Sequence, residues 1–92
     1  MLYYNESVII IFEINTEFSG VDVQEKLLQL GLRVKKLREE KGMSQTELAY
    51  KIGKDQPSIN RLEKGNVNPS IIYLLQICEG LEITIEELVK SL

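Results

Sequence analysis

The stretch Ser44–Gly65, SQTELAYKIGKDQPSINRLEKG, decides the fold, because it spells two short helices joined by a tight turn. Ser44 followed three residues later by Glu47 is a capping-box pair: the hydroxyl takes an orphan backbone N–H and the carboxylate reaches back. A helix starts there. Leu48, Ala49 and Ile52 recur on one face, and Gly53 stands where a chain leaves a helix through a left-handed residue. After the turn Gly53-Lys54-Asp55, Asp55 is placed to cap a second helix opening at Gln56, with Pro57 in the first turn, where a missing N–H is tolerated. Ile59 and Leu62 give that helix an inner face, and it ends at Gly65.

Burying Ile59 and Leu62 leaves Gln56, Ser58, Asn60, Arg61 and Lys64 on the other face, groups able to hydrogen-bond base edges and phosphates. Taken singly they are an ordinary solvated helix face. The informative feature is the order: cap, small residue at Ala49, glycine turn, second cap, apolar pair. Two helices crossing steeply over a short turn need a small side chain at the crossing and a residue tolerant of positive φ between them.

On these residues, Ser44-Gln45-Thr46-Glu47-Leu48-Ala49, Ile52-Gly53, Ser58-Ile59-Asn60-Arg61-Leu62-Glu63-Lys64-Gly65 and Asn68-Pro69-Ser70, the chain resembles the phage-repressor/Cro-type helix-turn-helix family over roughly residues 30–92. The resemblance implies an all-α, five-helix domain and sequence-specific binding of double-stranded DNA by a transcriptional regulator. It points to a dimeric repressor whose palindromic half-sites lie about 34 Å apart. It assigns Gln45 to a phosphate from a helix N-terminus, and Gln56 to adenine, alone or together with Gln45. Asn60 and Arg61 go to base edges or flanking phosphates, and Ser58, Lys64, Asn66 and Asn68 to the DNA backbone. It also implies an ion pair between Arg38 and Glu63, tying the first helix to the recognition helix. Pro57 departs from the family, whose residue there often contacts a base, and so reduces one readout position to shape or methyl contact.

Composition sets bounds on the rest. Ninety-two residues make one small domain. The single cysteine, Cys78, cannot form an internal disulfide, and without histidine the usual zinc sets and imidazole catalysis are lacking. We expect no enzyme activity, no metal and no cofactor. No window has the apolar length of a membrane span and the start lacks a secretion-signal pattern, so the expected location is cytoplasmic. The net charge of −3 is unevenly spread: residues 24–70 carry ten Lys and Arg against six Asp and Glu, while both flanks are acidic. The basic middle coincides with the motif, as a modest electrostatic footprint for phosphates would.

Residues 1–21 fall outside the resemblance and are expected to form a separate strand or arm, with residues 22–92 as the DNA-binding domain. Ser7–Asn15, SVIIIFEIN, has strand composition and no partner strand elsewhere in the chain. Pairing with a second copy across a homodimer axis is one solution. A disordered segment, an extended arm over its own helices, a short helix or a site for a protein partner are the others. From Asp22 the spacing of Val23, Leu27, Leu30, Val34 and Leu37 predicts a helix to about Lys41. Gly31 is a possible break in that helix, though the periodicity favours continuity. Gly42 closes it, and Met43 precedes the Ser44 cap as a staple. Ser70 opens a fourth helix with Ile71, Leu74, Leu75, Ile77, Cys78 and Leu81 as mostly core. Glu82 stands where the family commonly has glycine, which predicts an altered turn. The Thr84/Glu87 box opens a last helix, with Ile85, Leu88 and Val89 inward or toward a second subunit. Two rival readings remain: an antitoxin, its arm binding a toxin and its DNA binding autoregulatory, and a restriction–modification controller protein.

Overall fold

The computed structural model describes residues 23–90 and 92. The expected N-terminal strand or arm lies outside the described residues. Among those residues the chain forms five helices: α1 (Val23–Glu40), α2 (Gln45–Lys51), α3 (Gln56–Glu63), α4 (Ile71–Leu81) and α5 (Ile85–Val89).

The helix starts follow local chemistry. Ser44, Asp55, Ser70 and Thr84 each accept the N–H three residues on, and the Ser44/Glu47 and Thr84/Glu87 boxes are reciprocal. A cap of this kind contributes about 1 kcal/mol. The helix ends are equally regular. At the ends of α1, α2 and α3, Met43, Lys54 and Asn66 donate their N–H back to the carbonyls of Arg38, Ala49 and Arg61, closing a left-handed turn at Gly42, Gly53 and Gly65. At the end of α4 the same closure, Ile83 N–H to the Cys78 carbonyl, is made with Glu82 in the left-handed position (φ 59°). The turn expected to change shape keeps its shape, and the strain falls on Glu82 instead.

The core is built from Leu30, Val34, Leu37, Leu48, Ala49, Ile59, Leu62, Ile77, Cys78, Leu81 and Leu88, with Met43, Ile52 and Leu74 packed at its margin. One expectation needs correction. Ile71 and Leu75 are exposed (59% and 46%), because only the Ile77–Cys78–Leu81 side of α4 is turned into the core. Val23, at the start of α1, is also exposed, and Val89 is 40% exposed while Leu88 takes the inward position of α5. The helix α1 is continuous through Gly31. This glycine is there for proximity: a Cβ at Gly31 would lie 2.5 Å from the carbonyl oxygens of both Leu62 and Glu63. Gly80 performs the same service between α4 and α2, where a Cβ would meet Ile52 and Leu48. The leading turns of α1 therefore rest directly on the end of α3, and Gln24 adds a hydrogen bond to the Gly65 carbonyl at 3.0 Å. Arg33 ties the other side of α1 to α5 through the Glu87 carbonyl, at 2.8 and 3.1 Å.

Candidate nucleic-acid interface

The site begins with a buried charge. Arg38 and Glu63 are 6% and 4% exposed and meet in a two-pronged pair, Nε to Oε2 at 2.7 Å and a terminal guanidinium nitrogen to Oε1 at 3.0 Å. The remaining nitrogen of Arg38 donates to the Met43 carbonyl at 2.7 Å. The guanidinium thus joins α1, the α1–α2 connection and α3 at one point. Its hydrogen bond to Glu63 raises the Arg38 pKa, against the opposing effect of burial, so the guanidinium stays charged. Pairing and full hydrogen bonding are what make a buried charge tolerable.

From this pair a polar chain runs outward. Gln45 Nε2 donates to Glu63 Oε1 at 2.9 Å and to Asn60 Oδ1 at 3.3 Å. A carboxylate accepts and cannot donate, so Glu63 holds the Gln45 amide with its nitrogen inward and its oxygen outward. That oxygen accepts from Gln56 Nε2 at 2.6 Å. Among the described residues Gln56 is left with its own Oε1 and one N–H free, an acceptor and a donor side by side on an exposed residue. Asn60, its oxygen engaged, presents its amide nitrogen.

At the start of α3, Asp55 caps the Ser58 N–H at 2.9 Å, and the Ser58 hydroxyl and backbone N–H hold the Asp55 carboxyl below its ordinary range. Arg61 is exposed and reaches back to the Ser58 hydroxyl at 3.1 Å. Lys64 lines a shallow groove of about 260 Å³ with Leu28, Leu32, Lys35, Gln45, Asn60 and Glu63. Asn66 and Asn68 stand exposed in the α3–α4 connection. The structure therefore brings Gln45, Gln56 and Asn60 into one hydrogen-bonded group and joins Ser58 to Arg61 in a separate pair on α3. Lys64, Asn66 and Asn68 lie beyond them at the far end of α3.

Sequence reasoning missed Lys54, in the turn between α2 and α3, whose ammonium lies 4.8 Å from the centre of the Tyr73 ring on α4. The two are nineteen residues apart with no shared motif, so no local signal pairs them. Cys78 is buried in the core, and burial raises its thiol pKa, as for an inert apolar cysteine. Among the described residues no group of three or more His, Cys, Asp or Glu is placed to hold a metal ion, and no helix is long and apolar enough to cross a membrane.

Comparison with known proteins matches this geometry to one family. A helix-turn-helix family model (HTH_3) covers residues 34–88. The chain is 35% identical over 60 residues to the HTH-type transcriptional regulator y4dJ of Sinorhizobium fredii, covering 65% of this chain and 78% of that one. It is 34% identical over 63 residues to the HTH-type transcriptional regulator SinR of Bacillus licheniformis, covering 67% of this chain and 57% of SinR. Among solved structures, the restriction-modification controller protein C.AhdI from Aeromonas hydrophila superposes with a TM-score of 0.70 at 34% identity, over 73% of this chain and 97% of that one. With more than half of its residues inside the family model and its two-helix motif carried by α2 and α3, this chain belongs to the helix-turn-helix family.

Proposed function

We propose that the chain is a DNA-binding transcriptional regulator that reads a palindromic operator as a two-fold dimer, with α3 in the major groove. The observation that carries the reading is the hydrogen-bonded run from buried Arg38 through Glu63 and Gln45 to Gln56. It fixes two amides, Gln45 at the start of α2 and Gln56 at the start of α3, before any partner arrives, and a pre-ordered side chain loses less freedom on binding. The free Oε1 and N–H of Gln56 match the N6 donor and N7 acceptor of adenine. Asn60 and Arg61 are the next base-edge candidates, and Gln45, Ser58, Lys64, Asn66 and Asn68 serve the backbone. The single domain presents one recognition helix and so covers one half-site, which is why a dimer is proposed. Residues 1–21 form the proposed accessory element and residues 22–92 the DNA-binding unit. The relatives are named as regulators and not as enzymes, and the chemistry proposed is recognition without catalysis, in the cytoplasm where the chromosome is.

The test is selection of binding sites from random duplex DNA, followed by titration of the selected site with Gln56→Ala and Arg61→Ala. Both are surface changes. Each should leave the fold intact while specific affinity falls by about 1–3 kcal/mol per lost base contact. If both variants bind the selected site like wild type, α3 is not the reading helix.

The similarity to C.AhdI over nearly the whole of that protein favours one specialised reading, a restriction–modification controller. Genes for a restriction endonuclease and a methyltransferase beside this one would support it, and their absence would leave the general regulator.

A further inference from the structure

We infer that Lys54 is a DNA-phosphate contact and that the ring of Tyr73 positions it; the inference rests on the DNA-binding reading and assigns a residue pair that the motif does not. Lys54 lies two residues before Gln56. If Gln56 reaches a base edge, the turn ahead of it lies along the wall of the groove, where the phosphates are.

Three features make Lys54 suited to that place. Its backbone is fixed, since its N–H closes the end of α2 on the Ala49 carbonyl at 2.9 Å. Its ammonium, on an exposed side chain, is 4.8 Å from the centre of the Tyr73 ring, a cation–π distance. And the neighbouring Asp55 carboxylate already occupies the amide end of α3, on the Ser58 N–H, which leaves that end poorly suited to a phosphate. The positive charge there must come from a side chain, and Lys54 supplies it.

Tyr73 is held independently of Lys54. It sits in the first turn of α4, its N–H capped by the Ser70 hydroxyl at 3.0 Å, with its ring packed against the core. Its hydroxyl is buried and has no hydrogen-bond partner among the described residues. The working part of this residue is therefore the ring face. Arg61 and Asp55 are the charged groups that act on it from α3 and its cap, and their effects on Tyr73 oppose one another. A ring that holds the ammonium keeps a long side chain from sampling solvent, so the phosphate contact is made at a smaller entropic loss.

The experiment measures binding of the full-length protein to a labelled mixed-sequence duplex of about two helical turns across a series of salt concentrations, for wild type, Lys54→Met, Tyr73→Leu, Tyr73→Phe and Lys54→Met/Tyr73→Leu. Removing one phosphate contact should lower the slope of log K against log salt by about 0.9, and this is the change expected for Lys54→Met. Tyr73→Leu should weaken binding severalfold, Tyr73→Phe should restore what it loses, and the leucine should have no effect once Lys54 is gone. A wild-type slope in Lys54→Met overturns the phosphate contact. An equal loss from Tyr73→Leu with and without Lys54 overturns the positioning role. If Tyr73→Leu does not fold, Tyr73→Phe and Lys54→Met still decide, since a weakened Tyr73→Phe also contradicts a role confined to the ring. Failure of wild type to bind duplex DNA at low salt overturns the DNA reading itself and this assignment with it.

Discussion

Gln45 donates its side-chain N–H to Glu63 Oε1 at 2.9 Å, so a residue at the start of α2 is oriented by a buried carboxylate at the end of α3. Glu63 is in turn held by Arg38 from α1. The stability of the fold and the polarity of the outward-facing amides thus share one anchor.

Arg38→Ala should be strongly destabilising, by about 3–5 kcal/mol, because it leaves the Glu63 carboxylate buried without its partner. DNA affinity should fall with it, since Gln45 and Gln56 lose their fixed orientation. Lys90→Ala, on an exposed residue after α5, should change neither. Chemical denaturation of the two variants decides the matter: an Arg38→Ala midpoint equal to wild type would remove the pair from the account of stability.

Gly31→Ala introduces a methyl 2.5 Å from two carbonyl oxygens of α3. Backbone cannot move aside as a flexible side chain can. The gain in helix propensity, about 1 kcal/mol, should be outweighed by overpacking, giving a net loss of about 1–3 kcal/mol. A stabilised Gly31→Ala protein in thermal melts would show that α1 does not rest on α3 in solution.

Glu82→Gly should stabilise the protein by about 1–2 kcal/mol, since Glu82 occupies a left-handed conformation that glycine adopts without a side-chain penalty. Its contact with Lys51 at 3.7 Å is between exposed groups and offsets little of this. An unchanged or lowered melting temperature would mean that the turn is relaxed around the glutamate.

The cap carboxylates predict an acid dependence. The Ser44 N–H holds the Glu47 carboxyl below its ordinary pKa, Ser58 does the same for Asp55, and the Thr84 N–H for Glu87. A carboxylate whose folded pKa is depressed contributes stability that is fully present above its unfolded value. That contribution is lost as the pH falls through the lower folded value. The melting temperature should therefore hold at pH 5–7 and decline as the pH drops below about 4. Asp55→Asn and Glu47→Gln, which keep the acceptors without the charge, should flatten that decline, and a profile as steep as wild type in both would place the acid sensitivity elsewhere.

If residues 1–21 pair across a dimer axis, deletion of residues 1–20 should leave a folded helical domain that sediments largely as a monomer. It should lose affinity for a two-half-site operator more than for one half-site. A truncated protein still dimeric at micromolar concentration would assign the dimer to the helices. The exposed Ile71, Ile72 and Leu75 of α4 would then be the first residues to change.

Much of this was legible along the chain. Helix starts and stops are local events, in which a side chain bonds a backbone group three residues away, so Ser44, Asp55, Ser70 and Thr84, with Gly42, Gly53 and Gly65, are visible in sequence without a fold. The inner faces of α2 and α3 were equally legible, because Leu48, Ile59 and Leu62 repeat with the helical period. Where periodicity misled, the cause was excess: α4 is apolar around most of its circumference, so Ile71 and Leu75 read as core until packing chose one side.

What only the tertiary structure decided are the contacts between residues distant in the chain. Gly31 read as a candidate break and is a point of close approach to Leu62 and Glu63. Lys54 read as a turn residue and lies over Tyr73. Gln56 read as acting alone or together with Gln45, and Asn60 as separate from both, whereas Glu63 orders Gln45 and, through it, Gln56 and Asn60. Local hydrogen bonds depend on the identity of near neighbours, which the sequence states. Orientation of an amide or an ammonium depends on what packs against it from another helix, and that is fixed only when the helices meet.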